Sequence, residues 1–480
     1  MAYDFERLLL LSPGEPCGVP ECVGPVEVAL VPGKHRGLVT TRRVAQGELL
    51  LANRALAISE TPKLAEAARR SLEHCSQEDF DAFFLLCDGR RTPQQLPKLQ
   101  ASEASGPVSP LRQRRVGPDL PVEQVLAANA HELDAWDSGP SAPKKSGLFL
   151  IASLINHSCL PTSCRIFMGD FIFVRAAKAL DAGEEVTDGY ISVLQPAPER
   201  RRAIKHYGFE LHDDRIFVEE ALFAESIVQR LLAQIDVADT PEALARIVRE
   251  AEALVEDRML SLASAEGKLE AAAQRLGIAL QRVLLGSLAM PAQVAVGCCQ
   301  LELGAFSEAA RSFGRCCWLL EALAPFNSYH ARWALDAFCA ASLGKLPTAE
   351  SYGAYARKVL LAHCGSAPAA ELMARRRGLQ LPKAEESEAP LPGEPEVTCE
   401  LLEDAVELCL KATEPLELRA LEIAVSGCLL DLRGAGGGVG GRLLLPLPAH
   451  VGEAKVRLAK DRRSLRAKFP RDEKGEKRCT

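Results

Sequence analysis

Asn156, His157, Ser158 and Cys159 stand directly behind the apolar run SGLFLIASLI, in the stretch LINHSCLPTSC (154–164). A histidine and two cysteines this close raise two chemistries, metal ligation and nucleophilic catalysis. A structural zinc site takes four ligands, commonly including a closely spaced pair. His157 and Cys159 are two residues apart, Cys164 is five further on, and no CxxC occurs in the chain. A thiol nucleophile needs a base that draws off its proton, and no elbow-type glycines flank Cys159. The stretch alone specifies neither chemistry. Two other stretches carry polar groups on turns. GKHRGL (33–38) is a glycine-flanked turn with cations, and GEEVTDGYISVLQPAPERR (183–201) sets Tyr190 behind a Gly-Glu-Glu turn.

The elements that would position these residues fall into blocks. PVEVALV, GLVTT and GELLLANRALAI, between residues 25 and 58, read as strands separated by Gly/Pro turns. KLAEAARRSLEHCSQEDFDAFFLLCDG (63–89) and VEQVLAANAHELDAW (122–136) have helical spacing. QASEASGPVSPLRQRRVGP (100–118) and DSGPSAPKKSG have loop composition. CRIFMGDFIFVRAAKAL predicts a hairpin turning at Gly169-Asp170, and APERRRAIKHYGF a short basic helix. From about 215 to 378 almost everything has helical period. GAFSEAARSFGRCCWLLEAL and GKLPTAESYGAYARKVLLAHCG lie some forty residues apart, a spacing that suits tetratricopeptide-type helix pairs as well as a plain bundle.

Length and composition narrow the class. A chain of 480 residues predicts several domains. A net charge of −7 argues against nucleic-acid binding by overall electrostatics. The start MAYDFERLLLLSPGEP does not read as a signal peptide, and no stretch reaches eighteen uncharged apolar residues. The longest candidate, around 284–299, contains Pro291. Sixteen cysteines without a secretory signal predict free thiols in a reducing compartment, cytoplasmic and/or nuclear. The doublets Cys298-Cys299 and Cys316-Cys317 read as small core residues.

In their order and spacing, GKHRGL, NHSCLP, GEEVTDGY and the closing HYGF (206–209) resemble the SET-domain protein-lysine methyltransferases. The likeness is nearest to the SET–MYND branch and covers about residues 20–370. It implies an α+β fold: a β-rich SET domain in two parts (20–60 and 147–214) around a helical insertion (61–146). An all-α, TPR-like domain would follow at 215–380. It also implies S-adenosylmethionine as cofactor and, as partner, a protein substrate with a reactive lysine. Methyl transfer to an amine is an in-line displacement on a neutral nitrogen, so the lysine must first lose its proton. The protein's part is orientation and electrostatics. By resemblance, Lys34, His35 and Arg36 cradle the cofactor. Asn129, Asn156, His157 and Tyr190 contact it, and Phe209 packs on its adenine or on the lysine channel. Tyr190 and Tyr207 are the catalytic tyrosines, Tyr207 lining the channel. No metal ligands are expected.

The chain departs from the family in four places. It has no MYND Cys/His ladder, and ELHDDRIF replaces the cysteine cluster that follows HYGF. Thr162 stands where the family has Asn, and His35 where it has Gly. These departures keep a second reading open, a catalytically degenerate SET domain serving as a protein-interaction scaffold. A Pro/Glu-rich linker (381–398) precedes a C-terminal block (399–470), which opens on a helix-like CELLEDAVELCLKA and continues strand-rich. That block resembles the CS-type β-sandwich of PIH co-chaperones and implies a chaperone-type partner. Residues 471–480 read as a disordered tail.

Overall fold

A computed structural model describes residues 3–87, 120–133, 144–211, 213–262 and 267–383, and seven strands between 396 and 470. The predicted loop at 100–118 and the tail at 471–480 lie outside the described residues.

The N-terminal part is strand-rich. Its strands are β1 (Cys22–Val23), β2 (Val26–Val31), β3 (His35–Thr40), β4 (Leu49–Arg54), β5 (Ala57–Glu60), β6 (His131–Glu132), β7 (Lys145–Leu148), β8 (Asn156–His157), β9 (Ser163–Met168), β10 (Phe171–Ala176) and β11 (Glu185–Asp188). Among the described residues, α1 (Phe5–Leu9), α2 (Leu64–His74), α3 (Gln77–Phe84), α4 (Val122–Asn129) and α5 (Ala197–Ile204) accompany them. Three sheets form, ordered β1-β4-β10-β9, β2-β3-β11-β8 and β5-β7-β6. The predicted hairpin is present as β9–β10, with Gly169 at φ +56° in its turn.

Strand β10 sits between two cores. Its six residues are all buried. Phe171 and Phe173 join a core shared with the helical part, whereas Ile172, Val174 and Ala176 join the core of the sheets and α2–α4. The two-residue period of a strand makes this division possible. Arg175, on the helical side, lies 4.8 Å over the Phe5 ring and donates to the Gly47 carbonyl. Its guanidinium fills the space beside Gly365, where any Cβ would collide with it.

The helical part comprises α6 (Asp214–Leu222), α7 (Glu225–Val237), α8 (Pro241–Leu262), α9 (Lys268–Leu276), α10 (Leu280–Leu288), α11 (Met290–Glu302), α12 (Phe306–Leu323), α13 (Ser328–Leu343), α14 (Ala349–Cys364) and α15 (Ala367–Arg375). From α11 to α14 each helix packs on the next. Among the described residues no single helix is long and apolar enough to cross a membrane. The apolar stretch around Pro291 is split between α10 and α11, which meet at a 65° bend. Cys316 and Cys317 are core residues as expected, but Cys298 is exposed.

Several local expectations are corrected. Within the expected helix over 63–89, the described residues form two helices, α2 and α3, because Ser76 accepts from the Asp79 N–H and starts α3 afresh. The helix expected over 122–136 stops at Asn129, and His131–Glu132 pairs with β7 instead. β7 itself begins inside the expected loop DSGPSAPKKSG. GELLLANRALAI divides at Ala55 into strands of two different sheets. CELLEDAVELCLKA is not helical: it contributes to β12 (Glu396–Leu401) and β13 (Ala405–Lys411), which pair antiparallel. β12 therefore starts inside the expected linker. In each case pairing with a distant strand, or a competing cap, outweighs helix propensities of a few tenths of a kcal/mol per residue. With β14 (Leu421–Ser426), β15 (Leu429–Gly434), β16 (Gly441–Leu444), β17 (Lys455–Leu458) and β18 (Ser464–Pro470), the C-terminal region forms two antiparallel sheets, β12-β13-β18-β17 and β14-β15-β16.

Candidate active site

One sheet gathers the three polar stretches. GKHRGL is the β2–β3 hairpin, GEEVTD supplies β11 beside β3, and Asn156-His157 is β8, parallel to β11. Distant residues thus meet through register alone: Glu185 stands opposite Val39, and Thr187 opposite Asn156.

Side chains then lock the junction. The Asn156 amide donates to the Arg36 carbonyl at 2.7 Å and to Glu185 Oε1 at 2.9 Å. Glu185 Oε2 accepts from Lys34 Nζ at 2.8 Å. Gly37 is required here, since a Cβ at this position would stand 2.6 Å from Asn156 Nδ2. His35, the first residue of β3 and paired with Val31 across the turn, is exposed, with φ +64°, a left-handed backbone that favours glycine. Thr162, in place of the family's Asn, accepts from the Thr187 N–H and donates to the Glu185 carbonyl, tying its loop to β11.

Aromatic rings cluster on one side of β8. Tyr190 lies 5.4 Å from His157, 5.1 Å from Tyr207 and 6.4 Å from Phe209, measured between ring centroids. The Tyr190 N–H donates to His157 Nδ1 at 3.1 Å, which leaves the proton of a neutral imidazole on Nε2, facing Cys159 Sγ at 3.6 Å. Burial pushes the His157 pKa down to about 4, so the neutral form is the stable one near pH 7. The Tyr190 hydroxyl donates to the Ile155 carbonyl at 2.5 Å, and burial raises its pKa well above the usual phenol range. Its oxygen lone pairs stay available as acceptors. Burial raises the Tyr207 pKa as well.

Arg36 is 7 % exposed, and its Nη1 has no hydrogen-bond partner. Burial lowers its pKa, offset in part by Cys87 and Tyr190 nearby. Asn129 ends α4, buried, with its amide donating to the carbonyls of Cys87 and Val125. Phe209 keeps 39 % of its surface exposed. A buried cation lacking a partner and an uncovered ring fit a ligand with a carboxylate and a flat heterocycle, and S-adenosylmethionine has both.

Among the described residues no group of three or more His, Cys, Asp or Glu could hold a metal ion, and Cys159 and Cys164 lie in different cores. Cys159 belongs to a small core with Ala197, Ile204 and Ile216, whereas Cys164 is packed in the core shared with the helical part. Burial raises the Cys159 thiol to about 11, the opposite of an activated nucleophile.

Behind HYGF the chain ELHDDRIF supplies ions. Asp213 caps α6 by accepting from the Arg215 N–H, and it also accepts from the Cys159 N–H and the Ser158 hydroxyl. Arg215, fully buried, donates to the carbonyls of Cys159 and Val193, to Ser287 Oγ and to Glu219. Glu219 pairs also with buried Arg200. The NHSC loop is thereby fastened to α6 and α10. Sequence reasoning passed over Asp213, although an Asp before an apolar-periodic stretch is a helix-start signal. It passed over Glu185 too, inside a motif already singled out. The Ile155 carbonyl and Arg215 left no signal, because their roles arise only from folding.

Tyr190 and Tyr207 also face a cavity of about 880 Å³ between the sheets and the helical part. Its walls include Arg165, Asp188, Leu10 and Tyr329.

Comparison with known proteins agrees with this geometry. Residues 35–191 match the model of the SET domain family. "Histone-lysine N-methyltransferase SMYD3" of Mus musculus is 40% identical over 65 residues, 13% of this chain and 15% of its own length. "Histone-lysine N-methyltransferase set5" of Schizosaccharomyces pombe is 33% identical over 79 residues, 16% of this chain and 25% of its own. A Gibberella zeae protein named "Methyltransferase" is 26% identical over 253 residues, 43% of this chain and 33% of its own. The chain spans a third or less of these relatives. Residues 35–191 are thus similar to SET domains, and SMYD-type lysine methyltransferases are among the proteins they resemble.

Proposed function

We propose that the protein is an S-adenosylmethionine-dependent protein-lysine N-methyltransferase of the SET–MYND-like type. The observation that carries this reading is that Asn156, beside His157 and Tyr190, holds the backbone carbonyl of Arg36, the residue whose buried guanidinium keeps an unpartnered nitrogen. Arg36 and Lys34 would hold the cofactor's carboxylate, the backbone around His157 its amino-acid portion, and Phe209 its adenine. When bound, the cofactor supplies an electrophilic methyl group.

The remaining work falls to the chain. Tyr190, kept protonated and oriented by the Ile155 carbonyl, accepts an N–H of the incoming lysine and aligns its lone pair. The Ile155 carbonyl is a second acceptor at the same place. The half-buried rings of both tyrosines limit hydration of the amine, which favours its neutral form over the ammonium. His157 stays neutral and fixes Tyr190 through its backbone N–H, so it acts as a positioning residue. The α11–α14 array is read as TPR-like, and the two C-terminal sheets as a CS-type sandwich that binds a chaperone-type protein.

Calorimetric titration with S-adenosylmethionine, paired with methyl transfer by Tyr190→Phe, tests the reading. Micromolar binding is expected in both proteins, with turnover falling about a hundredfold in the variant. Absence of binding at high micromolar cofactor rules the reading out.

A further inference from the structure

The cavity beneath Tyr190 and Tyr207 has an outer wall that belongs to none of the motifs above. It is built by residues 9–13, running on from α1, and by the start of α13. The N-terminal strap is pinned at both ends. Glu6 pairs with Arg375, and Arg376 donates to the Leu9 carbonyl, both on or beside α15. On the other side Lys145 donates to the Pro13 carbonyl, and the Gly14 N–H to the Gly169 carbonyl in the β9–β10 turn. A strap held this firmly still leaves Leu10 61 % exposed at the cavity. Tyr329, which packs on Trp333 at 5.6 Å, is 38 % exposed at the same cavity.

The charges of the wall matter as much. Among the described lining residues there are three cations, Lys144, Arg165 and Arg376, against two carboxylates, Glu132 and Asp188. Both carboxylates are already engaged, Glu132 with Lys144 at 2.7 Å and Asp188 with Arg165. His363, at the back of the cavity, is held neutral near pH 7 by burial. A polybasic segment would find both of these carboxylates already paired with a cation of the wall.

We infer that the substrate lysine lies in a segment whose neighbouring residues are apolar rather than basic, and that Leu10 and Tyr329 receive an apolar side chain flanking it. This rests on the methyltransferase reading above. The strap thus serves as a specificity element, with Leu10 as its contact.

The test uses the full chain and two fluorescent peptides that differ only at the residues flanking a single lysine, Leu and Phe in one, Arg in the other. Binding is read by anisotropy and transfer with labelled S-adenosylmethionine. The apolar-flanked peptide is expected to bind at least about tenfold tighter, the scale of one buried Leu-sized side chain. Leu10→Asp should remove that advantage while Leu10→Met keeps it, with cofactor affinity and melting temperature unchanged in both. Equal or tighter binding of the arginine-flanked peptide overturns the inference, as does an undiminished preference in Leu10→Asp. A preserved binding preference with no transfer to either peptide supports the recognition and sinks the methyltransferase reading instead.

Discussion

Replacing Arg36 by methionine should stabilise the ligand-free protein and weaken its cofactor binding, two effects of opposite sign from one side chain. The guanidinium is 7 % exposed, its Nη1 is unpartnered, and burial lowers its pKa. An unsatisfied buried polar group costs about 1–3 kcal/mol. Methionine is unbranched and apolar, adapts to irregular space, and carries no such cost. Loss of packing by the shorter chain offsets part of the gain, so a net stabilisation of about 1 kcal/mol is expected, close to 2 °C in the melting midpoint. A hydrogen bond from this cation to a cofactor carboxylate contributes about 1.5–3 kcal/mol, so affinity should fall between about tenfold and a hundredfold. Thermal melts with and without S-adenosylmethionine, together with calorimetric titration, measure both quantities on one preparation. Arg36→Lys keeps the charge but loses the planar fork, and should fall between the two proteins in affinity. A methionine variant that melts lower and binds the cofactor with unchanged affinity would show that Arg36 supports the fold and has no part in the site.

Two further outcomes follow from strain and from burial. His35→Gly relieves a left-handed non-glycine residue, a penalty of roughly 1–2 kcal/mol, against roughly 0.5–1 kcal/mol of added unfolded-state entropy. A rise of about 1 °C in melting temperature is expected, and a clear drop would mean that the imidazole makes a stabilising contact at the turn. His157, His330 and His363 are buried, with pKa values pushed by burial to about 4, 3 and 4 from an ordinary 6.5. Because the folded values are depressed, the unfolded chain takes up protons first. The stability they contribute is full above pH 6.5 and is lost as pH falls towards 4. Near pH 5 unfolding should take up roughly two to three protons, a slope of roughly 3 kcal/mol per pH unit. Urea midpoints measured at pH 7, 6 and 5 check this, and equal midpoints would refute the burial of these imidazoles.

Helix and strand type was legible wherever a segment is long and strongly periodic. The β9–β10 hairpin and the run of helices after residue 215 stood out by pattern alone. Legibility failed where a short segment could satisfy its backbone in two ways. His131–Glu132 continues a helical pattern, yet its N–H and C=O groups pair with β7. CELLEDAVELCLKA carries good helix formers, yet β13 pairs with β12 on one side and β18 on the other. Each choice depends on a partner strand that no local window contains.

The site divides along the same line. By itself the sequence determined which residues could serve: a cation-bearing glycine turn, an Asn-His pair, and tyrosines in HYGF and behind GEEVTD. It also determined that Cys159 and Cys164 lack the spacing of a zinc pair. Only the tertiary structure decided that β2, β3, β11 and β8 lie side by side, so that Lys34, Glu185 and Asn156 form one chain of polar contacts. It alone left Arg36 Nη1 without a partner, turned His157 into the support of Tyr190, and fastened the NHSC loop through Asp213 and Arg215. The physical reason is that side-chain type and periodicity are properties of a local stretch. Burial of an ion, and a hydrogen bond across more than a hundred residues, depend on which distant surfaces the folded chain brings into contact.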